Sequence, residues 1–155
     1  MRVMALDVGD RRIGVAISDP TGLIASPLLI LHRRRQQEDL QTIAQLVSEH
    51  SVERIVIGLP TTLRGELGPQ AQRVMRFGEH LERAVAVPVV YWDERHSTVE
   101  AEEIVRARGR PGRRERRAAV DDVAAAVILQ SYLDAHRSGS RAGDRGETPW
   151  LAGED

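Results

Sequence analysis

The sequence predicts a single α/β domain with a mixed β-sheet, and three observations support this fold class. Three short apolar runs stand a few residues apart near the start of the chain, which indicates an antiparallel meander. Two further buried runs then alternate with segments whose apolar residues recur at helical spacing. Strands joined through helices run parallel, so these helices should stack on the faces of the sheet. A chain of 155 residues suits one such domain.

The first three elements are predicted strands at residues 3–6, 12–18 and 23–31. Residues 10–12 form the predicted turn between the first two strands. Pro27 lies inside the third run. Because proline cannot donate a ladder hydrogen bond, we expect this strand to be irregular or to lie at an edge of the sheet.

Helices and strands then alternate along the chain. Unbroken apolar runs predict the strands, whereas apolar residues spaced three and four apart predict amphipathic helices. On these grounds we expect a helix at residues 38–50, a strand at 54–57, a helix at 70–84 and a strand at 87–92.

Two helices close the predicted domain. Ser97 is the expected N-cap of the first, which runs to residue 106, and Glu100 would complete a capping box. The sequence RGRPGRRERR follows and is predicted to be a loop, since glycine and proline interrupt it and like charges repel. The last helix is expected at residues 120–136.

The composition excludes several classes of protein. The chain has no cysteine, which excludes a disulfide scaffold, a cysteine-ligated zinc site and a thiol nucleophile. No apolar run approaches the roughly 20 residues that cross a bilayer, and the first residues do not resemble a secretory signal. We therefore expect a cytoplasmic protein with no membrane partner. Its domain should span residues 1–136, and the charged, glycine-rich tail at 137–155 is predicted to be disordered.

The basic residues are all arginine, 22 in number, in a chain whose net charge is only −1. They cluster in a run at residues 33–35 and in a segment at 106–117, where Glu115 is the only acid. Guanidinium groups bind phosphates in a bidentate way and keep their charge near neutral pH. A protein of near-zero net charge with such segments can still bind a polyanion locally.

Carboxylates stand where predicted strands end and where the last predicted helix begins. They are Asp7 after the first strand, Asp93 and Glu94 after the last strand, and Asp121 and Asp122 at the helix. Taken singly, each acid has an ordinary structural explanation, such as a turn cap or an interaction with the helix dipole. Because ligands of open α/β sheets bind at the carboxyl ends of the strands, the acids together indicate a site there. Side chains alternate along a strand, so only one of Asp93 and Glu94 can face that site.

Converging carboxylates would be costly without a cation, since two charges 4 Å apart repel by about 4 kcal/mol at an effective dielectric of 20. Mg²⁺ takes one or two carboxylates together with waters and phosphate oxygens. Two such metals roughly 3.5–4 Å apart can activate a water and stabilise the leaving oxygen of a phosphodiester. The pattern therefore predicts that Asp7 is a metal ligand.

Four stretches, taken in order, resemble the YqgF/RuvX family: LDVGDRRIGVA, IVIGLP, DERHST and VDDVAAAVILQSYL. The resemblance runs over about residues 2–135, and the family is related to the RuvC Holliday junction resolvases of the RNase H-like superfamily. It implies a five-stranded mixed sheet, three antiparallel strands followed by two parallel ones, with helices on both faces. It also implies a metal-dependent endonuclease with a two-metal site for Mg²⁺ or Mn²⁺.

By the same resemblance, the catalytic and metal-binding residues are expected to be Asp7, Glu94 and Asp121. Asp93 and Asp122 are the alternative metal ligands. RuvC takes a glutamate from the strand before, whereas here that strand ends in Ile57 and Gly58 without an acid. Glu94 is therefore expected to take its place.

The resemblance further implies a nucleic-acid substrate, either structured RNA such as the 5′ end of pre-16S rRNA or branched DNA such as a Holliday junction. Nothing in the sequence chooses between RNA and DNA. A resolvase that cuts two strands symmetrically needs a two-fold dimer, so a homodimer is considered as well. The arginines expected to bind phosphates are Arg11, Arg12, Arg95, Arg113, Arg114, Arg116 and Arg117.

Two other classes of function are compatible with parts of the pattern. A non-catalytic nucleic-acid-binding factor would keep the arginines and use the acids as caps, and its affinity would not depend on metals. An ATP-binding protein of the actin–hexokinase type also begins with an acid, glycines and an antiparallel hairpin. That architecture needs two such domains around the nucleotide, which one short domain cannot supply.

Overall fold

The computed structural model describes the backbone of residues 1–108 and 113–137, and the side chains of residues 1–107 and 123–137. The strands are β1 Val3–Val8, β2 Arg12–Ser18, β3 Ala25–His32, β4 Arg54–Leu59 and β5 Val89–Asp93. The helices are α1 Gln36–Glu49, α2 Pro69–Ala84, α3 Val99–Arg108 and α4 Arg113–Arg137, and a 3₁₀ turn at Glu94–His96 follows β5. Most of the predicted tail, residues 138–155, lies outside the described residues, and its disorder stays a prediction.

The strands form one mixed sheet in the order β3-β2-β1-β4-β5. β2 pairs antiparallel with β1 and β3, whereas β4 pairs parallel with β1 and β5, as predicted. The edge position predicted for the strand with Pro27 is also confirmed. The pairing of β3 with β2 shifts register near this residue: Leu29 lies opposite Val15, but Pro27 lies opposite Ala16, so Leu28 is an extra residue in the ladder.

The two faces of the sheet bury separate apolar cores, because side chains alternate along each strand. One face packs against α1 and α2, through residues such as Ile43 and Phe77. The other packs against α3 and α4 around Trp92, which is 2% exposed. The Trp92 indole N–H donates a hydrogen bond of 2.9 Å to Ser131 Oγ of α4, which fixes this helix on the sheet. None of the described helices is long and apolar enough to cross a bilayer.

The last helix begins earlier than predicted. α4 starts at Arg113 rather than at residue 120, so the RRERR end of the predicted loop is helical. Arginine is a good helix former, and this preference outweighs the repulsion between like charges. Asp121 and Asp122 therefore belong to the third turn of the helix instead of its start. The alternative explanation of these two acids by the N-terminal helix dipole does not hold, because the dipole acts mainly within the first turn.

The predicted cap of α3 is wrong by one residue. Thr98 is the N-cap, and its Oγ1 accepts a hydrogen bond of 3.0 Å from the backbone N–H of Ala101. Ser97 is used instead to close the 3₁₀ turn, where its backbone N–H donates to the carbonyl of Glu94. This extra turn moves the start of the helix one residue along the chain.

Candidate active site

Asp7 is the acidic side chain of β1. Its neighbours Leu6 and Val8 belong to the core under α1 and α2, so alternation directs Asp7 to the face covered by α4. It is half-buried there and lies opposite Gly14 of β2. A Cβ added at Gly14 would stand 3.7 Å from the Asp7 Cβ and 3.6 Å from the Cβ of Ala125 in α4. Burial beside this helix raises the pKa of Asp7 above its ordinary value.

Glu94 is the second carboxylate on this face. It begins the 3₁₀ turn after β5, at the same edge of the sheet as the end of β1. Burial, the charge of Asp7 and the charge of Asp93, in that order of importance, raise the pKa of Glu94 to about 7. Asp7 and Glu94 are far apart in the sequence but close enough in space to repel each other. This is the convergence that the sequence predicted for these two acids.

Asp93 has a different set of partners. Its Oδ1 accepts hydrogen bonds from Thr61 Oγ1 and from the backbone N–H of Arg95, both at 2.9 Å. Its Oδ2 pairs with Arg95 Nη2 at 2.8 Å. Burial alone would raise the pKa of Asp93, but these hydrogen bonds outweigh burial and lower it. Asp93 is thus a charged, well-partnered residue that holds the 3₁₀ turn in place, whereas Glu94 is the member of the pair beside Asp7.

The loop between β4 and α2 is attached to this turn, and sequence reasoning missed the attachment. Besides the Thr61 bond to Asp93, the loop approaches Arg95 at Gly65, whose φ is +82°. A Cβ added at Gly65 would stand 2.8 Å from Arg95 Nη2. Only glycine adopts this φ readily and leaves this space. The glycines of this loop are visible in the sequence, but they do not indicate that Gly65 lies against Arg95.

Gly58 of β4 lets the carboxylates and α4 approach the sheet. An added Cβ would stand 2.6 Å from Ile128 Cδ1 of α4 and 3.1 Å from Glu94 Oε2. The sequence has no acid at this end of β4. The structure shows that the position, Gly58, has no side chain at all, which leaves room for Glu94. The space above Gly58 is what Glu94 occupies.

Replacing Gly58 with alanine should therefore disturb the site. The added methyl must displace the Ile128 side chain or the Glu94 carboxylate, and overpacking of this kind costs about 1–3 kcal/mol in free energy of unfolding. Chemical denaturation of both proteins measures the loss, and cleavage activity should fall with it. Gly68→Ala is the comparison variant, since a Cβ at Gly68 meets no atom within 4 Å; as the N-cap of α2, this position should lose only the smaller amount by which glycine is preferred to alanine as a cap. Equal stability of the Gly58→Ala protein and the unmodified chain would contradict the close packing.

The chemistry of the carboxylate pair fits a divalent cation. Two half-buried acids that raise each other's cost of ionisation are stabilised by a nearby positive charge, and carboxylate oxygens are preferred ligands of Mg²⁺ and Mn²⁺. Among the side chains that the structure describes, no group of three metal-ligating residues occurs. The predicted third acid, Asp121, and its alternative Asp122 have side chains outside the described ones. Their roles stay predictions.

Two of the predicted phosphate-binding arginines share a cleft with Asp7. Arg11 and Arg12 are exposed and line a cavity of about 270 Å³ together with Asp7 and Gly14. Arg95 is paired with Asp93, with its side chain 42% exposed. The remaining predicted arginines belong to α4, and their side chains lie outside the described ones: Arg113, Arg114, Arg116 and Arg117.

Comparison with known proteins supports the interpretation of the sequence motifs. A family model described as RuvX, Holliday junction resolvase, matches residues 1–135. A protein of Thermoanaerobacter pseudethanolicus named "Putative pre-16S rRNA nuclease" is 46% identical over 138 residues, which cover 89% of this chain and 99% of the relative. A protein of the same name from Desulforudis audaxviator is 47% identical over 139 residues, covering 90% of this chain and 98% of the relative.

A solved structure shows the same fold. T. thermophilus RuvC in complex with a Holliday junction substrate superposes with a TM-score of 0.61 at 13% identity, covering 91% of this chain and 98% of that one. The fold and the curated relatives together define a nuclease of the RNase H-like class. More particularly, the chain belongs to the RuvX family. The alternative of a non-catalytic nucleic-acid-binding factor gains no support from these relatives.

Proposed function

We propose that this protein is a divalent-metal-dependent endonuclease that processes the 5′ end of pre-16S rRNA, with the Holliday junction as the second candidate substrate. The observation that carries the proposal is the pair of mutually repelling carboxylates, Asp7 and Glu94, at the carboxyl edge of the sheet. The names of the curated relatives favour the ribosomal precursor, while the family description favours the junction. Action on a ribosomal RNA precursor implies a cytoplasmic location.

Asp7, Glu94 and Asp121 are the residues proposed to hold Mg²⁺ or Mn²⁺. Helical spacing supports the third of them, because position 121 lies one turn before Ala125, the α4 residue packed against β1 and β2 near Asp7. Cations bound there would activate a water and stabilise the leaving oxygen of the scissile phosphodiester. The protein's own contribution is to hold Asp7 on β1 and Glu94 on the 3₁₀ turn after β5, and to bury both so that a cation favours their ionised forms.

The arginines are proposed to bind the substrate's phosphates. Arg11 and Arg12 are suited to the scissile region, because they line the cleft of Asp7. The arginines at the start of α4, Arg113, Arg114, Arg116 and Arg117, are proposed as further phosphate contacts. Aromatic residues make up only 3% of the sequence, so recognition by shape and backbone contacts suits this protein better than base stacking. A homodimer is needed only if the substrate is a two-fold junction.

The test offers the purified 155-residue chain a pre-16S rRNA fragment with its 5′ extension and, separately, a four-way DNA junction. Each is incubated with Mg²⁺, Mn²⁺ or a chelator, and products are mapped at nucleotide resolution. We expect defined cleavage of the RNA with either cation and none with the chelator. Symmetric cleavage of the junction alone would favour the second candidate, and failure to cleave either substrate would overturn the proposal.

Two adjacent variants test the third carboxylate in the same assay. Asp121→Asn should silence whichever reaction appears, whereas Asp122→Asn, its matched control, should retain most activity. The opposite result would assign the third ligand to Asp122.

A further inference from the structure

A second basic cavity lies on the other face of the sheet, between α1 and α2. It has a volume of about 320 Å³ and begins at Gly9 and Asp10, the turn between β1 and β2. Its walls carry three arginines, Arg33, Arg73 and Arg76, and Asp10 is the one acid among the described residues that line it. The buried carboxylate of Asp39 compensates Arg33, so the positive charge of the cavity comes mainly from Arg73 and Arg76, in a chain whose net charge is −1.

Two of the arginines form an exposed row on α2. Arg73 and Arg76 are three residues apart, which aligns them on one face of the helix, and His80 continues the row. Both arginines are exposed. Arg73 is 3.8 Å from Asp10 at its closest charged atoms, and the Asp10 side chain is 80% exposed. An ion pair this exposed contributes little stability, so the Arg73 guanidinium is available to an anionic ligand.

Arg33 fixes the floor of the cavity. Its Nη1 donates a hydrogen bond of 2.8 Å to the carbonyl of Gly9, and its Nε lies 3.5 Å from Asp39 Oδ2. Its guanidinium also lies over the ring of Phe77, 5.1 Å from the centroid. The ring is therefore covered by a cation and offers no platform for a stacked base. Because Asp39 compensates its charge, Arg33 contributes mainly fixed N–H donors, while the exposed Arg73 and Arg76 supply the positive charge that suits a sugar–phosphate backbone.

This cavity and the carboxylate cleft are neighbours that meet at the turn between β1 and β2. Gly9 and Asp10 line both, with Asp7, Arg11 and Arg12 on one side of the turn. A strand whose scissile phosphate lies at Asp7 can therefore pass over the turn and continue along α2. The strand would need no further binding site between the Asp7 cleft and the cavity on α2, because both are lined by Gly9 and Asp10.

The geometry points to a second phosphate-binding surface, formed by Arg33, Arg73 and Arg76, that holds the nucleic-acid strand on one side of the cleavage position. This inference rests on the proposed nuclease function and adds the course of the substrate across the protein. The surface binds by charge and not by sequence. It affects substrate affinity more than the chemical step, because it lies on the opposite face of the sheet from Asp7 and Glu94.

The test replaces Arg73 and Arg76 together by glutamine, which keeps a good helix former at two exposed positions. The matched control replaces Arg2 and Arg137, two arginines at the opposite end of the strands, also by glutamine. Affinity for the pre-16S rRNA fragment and for the DNA junction is measured in chelator, so that binding is observed without cleavage. Steady-state cleavage is measured in parallel with Mn²⁺.

Losing two phosphate contacts should weaken binding by about three- to tenfold per contact and make the slope of log affinity against log salt shallower by roughly 1.4–1.8. KM should rise with little change in kcat, and the control should match the unmodified chain. On a substrate trimmed to end close to the scissile bond on the α2 side, variant and unmodified chain should bind equally. Unchanged affinity and salt slope, or an equal loss in the control, would overturn this inference while cleavage by the unmodified chain leaves the nuclease function intact.

Discussion

Replacing Asp7 with asparagine should reduce phosphodiester cleavage by at least about 10³-fold, which corresponds to roughly 4 kcal/mol of transition-state stabilisation. Asparagine keeps the size of the side chain but removes the negative charge that faces Glu94. The charge is what a divalent cation requires, so the proposed metal site loses most of its affinity. Cleavage of the preferred substrate at saturating Mn²⁺ is the measurement.

The same variant should remain folded. Burial raises the pKa of Asp7, so its ionised form destabilises the cation-free protein, and the neutral amide removes that penalty. Thermal unfolding in chelator at pH 7.5 should therefore show no loss of stability. Asp134→Asn, which changes an acid near the far end of α4, is the matched control and should cleave normally. A fully active Asp7→Asn protein would remove the basis of the nuclease mechanism.

The stability of the cation-free protein should fall as pH rises from about 5 to 8, and Glu94 should be the cause. Its pKa is raised from 4.5 to about 7 in the folded chain, so the folded state binds this proton more tightly than the unfolded state does. The stabilisation from that proton is complete below pH 4.5 and is lost as pH rises through 7. A shift of this size corresponds to at most about 3 kcal/mol in free energy of unfolding.

Denaturant titrations at several pH values, in chelator, measure this dependence. Glu94→Gln should flatten the dependence of stability on pH. Glu53→Gln is the control, because Glu53 is an exposed acid just before the start of β4, at the opposite end of the strands, and its pH dependence should match that of the unmodified chain. Added Mg²⁺ or Mn²⁺ should restore stability at pH 8, since it binds the ionised form. If the free energy of unfolding of the Glu94→Gln protein depends on pH in the same way as that of the unmodified chain, a group other than Glu94 causes the dependence.

The sheet could be predicted from the sequence because its signals are local. Apolar runs, and alternation in the second strand, identified all five strands, and Pro27 indicated an edge or irregular strand. The proximity of Asp7 and Glu94 could be predicted because the carboxyl ends of parallel strands lie at the same end of a sheet, whereas their role as metal ligands stays a prediction. Strand alternation also explained why Asp93 and Glu94 separate, although it could not say that Asp93 would pair with Thr61 and Arg95.

The remaining features depend on contacts that local patterns do not contain. The start of α4 depends on whether the helix preference of arginine outweighs the repulsion between neighbouring arginines. The loop prediction assumed that the repulsion is stronger, whereas the segment from Arg113 is helical. The cavity of Arg33, Arg73 and Arg76 brings together three segments distant in sequence, and only the packing of α1 against α2 assembles it. The space above Gly58 likewise exists only once α4 is in position.

The irregular border of the sheet at β3 limits how copies of this chain can associate. An open strand with a regular row of backbone donors invites another molecule to extend the sheet, which leads to aggregation. Here the proline and the extra residue at Leu28 interrupt that row. Uncontrolled edge-to-edge growth is thereby hindered on this side. Two copies on a branched substrate should therefore not pair through the β3 edge of the sheet.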